Sequence, residues 1–460
     1  MLRANRLALL AAALLAVVPG TAVAAGPAVI AVRCGRLIDV KSGNAVPNAV
    51  VLVEKGKVTA AGADVKVPEG ARTIDLGRAT CLPGLIDSHT HLLSNLKVGL
   101  GDQVDAAMIM YTRMSVAQRA LLGAAMAREM LEAGFTTVRD LGNSGVNGDV
   151  ALRDAIRDGW VPGPRMVVST RALSPIGGQF RSLSLPGAEL VAQDYAEVTG
   201  VDQVRRAVRQ AVFDGADVIK VIVNDGPGTL SLDELKALVE EAHRARRKVA
   251  AHAVGVDATG LVIEAGVDSV EHGYVITDDL LRRMAEKKIY LVPTDFTVDD
   301  LEAVVHRPGT TAEEEKAIRE RLERLSATVH ERLAKAVKLG VPIAAGSDAY
   351  YALPGKTRGQ AALDMLHPYV DAGLKPIDVL RAATMNAADL LGWQDRVGTL
   401  EPGRYADLIA VPGDPLADVF QLEKVEFVMK GGIVVRDDHE AAAKGRPASL
   451  SRLPASRGRS

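Results

Sequence analysis

Residues able to bind a metal stand far apart in this chain, and each lies at or near the end of an apolar, strand-like run. They are His89 and His91 in GLIDSHTHLL, Lys220 in ADVIKVIV, His252 in VAAHAVG, His272 in SVEHGY and Asp348 in AAGSDAY. Donors scattered in this way converge only if a fold brings strand ends together.

The rhythm of the chain supplies such a fold. Strand-like runs are predicted at 81–89, 135–141, 165–170, 217–223, 248–254, 269–274, 289–296 and 342–348. Between them lie amphipathic stretches such as SVAQRALLGAAMAREMLEAG and SLDELKALVEEAHRARRK, and Gly134, Gly215, Gly266 and Gly340 mark the ends of several. Strands alternating with helices argue for βα units and a parallel sheet, and glycine is expected just past a helix C-terminus. Eight such units predict an α/β protein, a (β/α)8 TIM barrel, whose site lies at the C-terminal strand ends. The metal-like residues fall at those ends of strands 1, 4, 5, 6 and 8.

Two β-rich arms flank this region, at 29–80 and from 396 onward. Glu54-Lys55-Gly56-Lys57 and Lys430-Gly431-Gly432 read as hairpin turns in them. They are expected to pair into one small β-sandwich from 26–84 and 396–437, with the barrel at 85–395 and crossing points near Gly84-Leu85 and 393–400. Residues 1–25 read as an export signal: Arg3 and Arg6, an apolar run over 7–18, then Ala22-Val23-Ala24. The run falls short of the roughly 20 residues of a membrane span, so a periplasmic or secreted location is expected, with no membrane association after cleavage. The segment 438–460 is basic and rich in Arg, Ser and Pro, and reads as a disordered tail.

With 460 residues, 48% of them hydrophobic, the chain can bury a large core. Its net charge of −2, with signs interspersed, gives no nucleic-acid footprint. Cys34 and Cys81 are the two thiols; they either pair in an oxidising compartment or serve as small buried hydrophobes.

Side chains two apart on a strand share a face, so His89 and His91 can chelate one ion. Lys220 is unusual, an amine inside an apolar strand. An ammonium cannot bind a metal, but a neutral amine can add carbon dioxide and become an anionic carbamate. Burial favours the neutral form; the competing reading is a lysine whose head reaches water or pairs with Asp217 or Asp225. His252 and His272 on successive strand ends, beside Ala251, Ala253 and Gly273, favour a second ion. Asp348 can touch a metal and take a proton from water. His243, His306, His330 and His439 lie in polar, helix-like or tail segments and read as solvated, and His367, before Pro368, is given no role except that it could border the pocket.

At this point the residues resemble the amidohydrolase superfamily. The pieces that carry the resemblance are CLPGLIDSHTHL, GFTTVRDLG, DVIKVIV, AAHAVG, VEHG, AAGSDA, AATMNAADLLG and VGTLEPGRYADLIAV, and it spans 28–437. TTVRDLG and GPRM are most similar to the imidazolonepropionase-like branch that holds Xaa-Pro and Xaa-Arg dipeptidases and ochratoxin-type amidases. The resemblance implies His89 and His91 on one divalent ion, most often zinc, and His252 and His272 on another. It further implies a carbamate on Lys220 between them, Asp348 as ligand and proton shuttle, and a multimeric assembly. A histidine common in a Gly-Gly-His-Gly stretch of that branch is replaced here by Gln179.

The expected reaction is hydrolysis of an amide or peptide bond in a dipeptide or N-acyl amino acid with a free carboxylate. Tyr274, two residues past His272, is a candidate for the oxyanion or that carboxylate; Arg139, Gln179 and Asn224 are further candidates for substrate contact. Two alternatives remain: a cyclic-amide or lactone hydrolase or mononuclear deaminase on the same fold, which Lys220 argues against, and a non-catalytic binding relative, which the full ligand set argues against.

Overall fold

A computed structural model of the chain describes residues 29–100, 103–180, 185–307 and 309–439. The export signal and nearly all of the basic tail lie outside these residues. Among the described residues, no helix is long and apolar enough to cross a membrane.

Two β-sheets are built from the chain's two arms. One has the order Lys57–Gly62, Val50–Glu54, Val29–Arg33, Arg72–Asp75; the other runs Ile433–Asp437, Phe427–Lys430, Leu408–Val411, Thr80–Pro83, Arg36–Asp39, Asn44–Pro47. The second sheet therefore joins strands from near both ends of the sequence. Between the sheets lies an apolar core in which Val32, Val51 and Ile74 of the first meet Leu37, Leu408 and Phe427 of the second. Cys34 and Cys81 sit in this core as a disulfide. The two hairpin turns also meet: a Cβ on Gly56, whose φ is +78°, would lie 2.8 Å from the Gly431 carbonyl oxygen. Only glycine takes that backbone and that contact together.

The remaining strands are parallel and linked by helices. Ser115 caps the Val116–Glu132 helix and Ser231 the Leu232–Arg244 helix, each in a reciprocal box with Gln118 or Glu234. One sheet has the order Arg165–Val168, Phe135–Asp140, Leu85–Thr90; another runs Tyr195–Glu197, Ala172–Ser174, Val218–Ile222, Lys248–Ala253, Ser269–His272, Tyr290–Val292. A large apolar cluster surrounds them, with Leu85, Phe135, Ile219, Val249, Val270 and Leu291 at its centre.

Four expected strands differ in detail; the run 289–296, for one, is laddered only at Tyr290–Val292, before Pro293. The run 81–89 divides at Gly84 into Thr80–Pro83, in the mixed sheet, and Leu85–Thr90. The run 165–170 breaks before Thr170, whose φ is +62°, and resumes as Ala172–Ser174. Residues 342–348 form a single parallel bridge, Leu291 with Ile343, in place of a ladder. The cause lies in the donors: Pro342 has no N–H, and the Ser347 N–H goes to the Asp87 carboxylate at 3.0 Å. Hydrogen bonds still tie this segment on both sides. Ala344 N donates to Leu291 O at 3.1 Å, Ser88 N to Ala345 O at 2.8 Å, and Asp348 N to His89 O at 2.8 Å. Gly346 allows the close passage, since a Cβ there would lie 2.9 Å from that of His89.

Candidate active site

His89 and His91 follow each other at the end of the Leu85–Thr90 strand, and each ring is held through Nδ1. His89 Nδ1 is 2.8 Å from Glu271 Oε2 and His91 Nδ1 is 2.9 Å from the Gly142 carbonyl oxygen. Both partners accept, so the hydrogens sit on Nδ1 and the Nε2 lone pairs face the other way. They face Asp348: its Oδ1 lies 3.6 Å from His89 Nε2 and 3.2 Å from His91 Nε2. The donor atoms of these three residues all fall within 4.8 Å of one another. Asp348 Oδ1 is buried and, despite those neighbours, meets no hydrogen-bond geometry. A shielded carboxylate oxygen facing two ring nitrogens is a donor set that a cation fits.

His252 and His272 come from adjacent parallel strands, with Ala253 opposite His272 in the register. Their ring centroids are 4.6 Å apart, and the His272 ring is 5.1 Å from that of His89. His272 Nδ1 lies 2.7 Å from Thr294 Oγ1, which itself donates to Pro293 O, so the ring donates to Thr294. The Gln179 amide nitrogen stands 3.4 Å from the His252 ring nitrogens, and Tyr195 donates to the Gln179 oxygen at 2.8 Å. Lys220 is 2% exposed and pairs in register with Ala250, a small neighbour that leaves space. All six residues line one cavity of about 410 Å³.

Burial sets the protonation of this cluster. It holds His89 and His272 well below the usual histidine range, with the Lys220 charge and the His252 ring as the next causes respectively. It takes His252 down to about 3, again aided by Lys220. These are the neutral imidazoles that a metal requires. Burial also lowers the Lys220 amine to about 8, against the opposing pull of the Glu271 and Asp348 carboxylates. His91 differs: burial is the largest single effect and lowers it, but the Asp348 and Asp140 carboxylates and the Gly142 carbonyl together leave it raised. A proton and a cation therefore compete for the His91–Asp348 pair.

Behind the ligands stands a charged brace. Arg139 donates from Nη2 to Glu271 Oε1 at 2.8 Å, from Nε to Ser88 O at 2.6 Å, and from Nη1 to Ser269 Oγ at 3.1 Å. It is 1% exposed and does not line the cavity. The expectation that Arg139 contacts substrate is thus corrected: its guanidinium is committed to fixing Glu271, which fixes His89. Asp87 plays a parallel part, accepting from His89 N at 3.0 Å and Ser347 Oγ at 2.6 Å while burial pushes its carboxyl up to about 6. Reading along the strands misses such residues, although a carboxylate two positions before His89 shares its strand face.

The other expected contacts fall in different places. Tyr274 lines the cavity, with its hydroxyl 3.1 Å from Thr294 O and 3.0 Å from Thr294 Oγ1. Gln179 lies where the main cavity meets a smaller one of about 250 Å³, and Asn224 lines only the smaller. His330, read as solvated, lines the main cavity and lies 3.2 Å from Ser326 Oγ; His367 stacks on Phe420 with Nε2 at 3.1 Å from Glu423. His272, Thr294 and Asp348 have φ of +75°, +54° and +50°. Non-glycine residues seldom take that region, and its use at three adjoining strand ends marks backbone bent to aim side chains.

Comparison with known proteins agrees with this geometry. The model of the amidohydrolase family matches residues 80–435. The chain belongs to the amidohydrolase family. It is 32% identical to ochratoxinase of Aspergillus niger over 426 residues, covering 85% of this chain and 83% of that one. It is 24% identical to imidazolonepropionase of Caldanaerobacter subterraneus subsp. tengcongensis over 86% of this chain and 92% of the relative. A crystal structure of a Xaa-Pro dipeptidase with bound methionine superposes with a TM-score of 0.74 at 28% identity, covering 88% of this chain and 99% of the other. The family and these neighbours define a TIM barrel with a separate β domain, and a metal-dependent hydrolase acting on C–N bonds of small molecules.

Proposed function

We propose that this chain is an exported, two-metal hydrolase that cleaves the amide bond of dipeptides or N-acyl amino acids with a free carboxylate. One observation carries the reading. The His89–His91–Asp348 group, with its unpartnered carboxylate oxygen, shares a cavity with a second set: Lys220, His252 and His272. We assign His89 and His91 to one cation, His252 and His272 to the other, and Lys220 as a carbamate to both. In that modification the neutral amine attacks carbon dioxide and its displaced proton leaves to solvent. Two zinc ions held there would acidify water and polarise the scissile carbonyl.

Asp348 then does the proton work. Held by the His89 carbonyl at its own N–H, it accepts the proton of the attacking water and returns it to the leaving nitrogen. With Arg139 committed elsewhere, the leaving amino acid's carboxylate has Gln179 and Asn224 as neutral donors at the cavity's annex. The eight strand segments are taken as a closed barrel, supported by hydrogen bonds from 342–348 to Leu291 on one side and to the Leu85–Thr90 strand on the other. Residues 26–84 and 396–437 are taken as one β domain, supported by their shared sheet. Export rests on the sequence of residues 1–25.

The test is a dipeptide and N-acyl-amino-acid library screened with zinc-reconstituted protein, alongside metal analysis. Two ions per chain and amide turnover are expected. One ion per chain would move the assignment to a mononuclear deaminase or cyclic-amide hydrolase. If blocking the substrate carboxylate leaves kcat/KM unchanged, the carboxylate preference is wrong.

A further inference from the structure

The cavity extends away from the metal-binding residues, and its far part has a different chemistry. Phe296, Leu301 and Val304 line it from one side, and Leu325 and Val329, on the long Ala312–Lys338 helix, from the other. Leu325 is 51% exposed, so among the described residues this end of the wall is open to solvent. Asp295 lines the same cavity and immediately precedes Phe296 of this wall. It directly follows Thr294, whose hydroxyl braces His272.

Asp295 is 2% exposed, lines the cavity, and pairs with Arg332 through Oδ1. Among the described residues its Oδ2 has no hydrogen-bond partner. A buried carboxylate oxygen left unpaired keeps its full desolvation cost, and a ligand donor would remove that cost. The local charge selects the donor. Asp300 also lines this part and shares the Lys356 ammonium, at 2.8 Å, with Asp364; among the described residues no arginine lines the cavity and Lys220 is the one lysine that does. An anion placed there meets carboxylates; a cation meets an acceptor.

We infer that Asp295 and the Phe296–Leu325 wall read the acyl half of the substrate as an aminoacyl group, its free α-ammonium on Asp295 Oδ2 and its apolar side chain against the wall. Arg332 is a positioning residue that aims Asp295. This inference deepens the amide-hydrolase reading and takes its substrate orientation from it.

The test separates the two. Calorimetric titration of zinc-loaded protein at pH 7 compares leucinamide with 4-methylpentanamide, which lacks only the amine. Leucinamide is expected to bind at least tenfold more tightly. In the double variant Asp295→Asn/Arg332→Met, which leaves no buried guanidinium unpaired, the ratio should fall to near one. Leu325→Ser should weaken both ligands alike, by a few-fold. Equal binding by the unaltered protein, or a preference that survives in the double variant, would overturn the inference. Preference for leucinamide with no turnover of leucyl-alanine would leave it standing and sink the amide-hydrolase reading instead.

Discussion

The cavity's two ends are made from different material. At one end the four imidazoles come from strand ends, and three of them are held from behind: His89 by Glu271, His91 by the Gly142 carbonyl, His272 by Thr294. At the other end the wall is mostly helical, from Val298–Val305 and Ala312–Lys338, and its Leu325 stands half in solvent. Parallel strands locked by neighbours on both sides hold atoms to a fraction of an ångström, which metal chemistry demands. Helices laid over the rim tolerate substitution, which suits the choice of substrate. The comparison assigns chemistry to the strands and selectivity to the helices.

That division can be broken at several points. The largest effect belongs to Asp348: Asp348→Asn is expected to lower kcat by about 10²–10⁴-fold, measured by steady-state turnover, and full activity would remove it from the proton path. Next is Arg139→Met, which leaves Glu271 buried without its cation. It should cost about 3–5 kcal/mol of stability in denaturant unfolding, whereas a substrate-binding arginine would change KM and spare the fold. Glu271→Gln keeps the volume but weakens the grip on His89, and should reduce zinc affinity about 10–100-fold in chelator competition. An unchanged affinity would show that the brace has no hold on the metal.

A smaller effect tests Lys220 by pH. Burial lowers its amine to about 8, so the amine loses its proton as pH rises through that value. At fixed dissolved carbon dioxide, reactivation of metal-free protein by zinc should quicken about tenfold or more between pH 6.5 and 8.5, following the neutral fraction. A rate that is flat or falls with pH would exclude addition to that amine. The smallest effect belongs to the helical end: Leu325→Ser should raise KM for apolar substrates a few-fold, near 1 kcal/mol of lost burial, with kcat unchanged. A large fall in kcat there would erase the distinction between the two ends.

Much of this was legible in the sequence because local rules wrote it. Strand-end histidines announce themselves by an apolar run before them, and the Lys55-Gly56 and Gly431-Gly432 turns by the positive φ they need. Other features have no local trace. Arg139 looks like any polar residue at a strand end until Glu271, 132 positions away, takes its guanidinium. His330 lies in a helix of ordinary polar pattern, and only the packing of that helix over the cavity gives the ring its place. The segment 342–348 has strand composition, yet the Asp87 carboxylate diverts its Ser347 N–H from any neighbouring strand.

By itself the sequence determined the alternation of strands and helices, the position of each metal-binding residue within it, and the family those residues define. Periodicity and turn chemistry act over a few residues and can be read in order along the chain. Only the tertiary structure decided which groups face the cavity, which are consumed in bracing others, and which oxygen atoms, at Asp348 and Asp295, are left without a partner. Hydrogen-bond saturation is settled among residues that the chain keeps far apart, so no local pattern can record it.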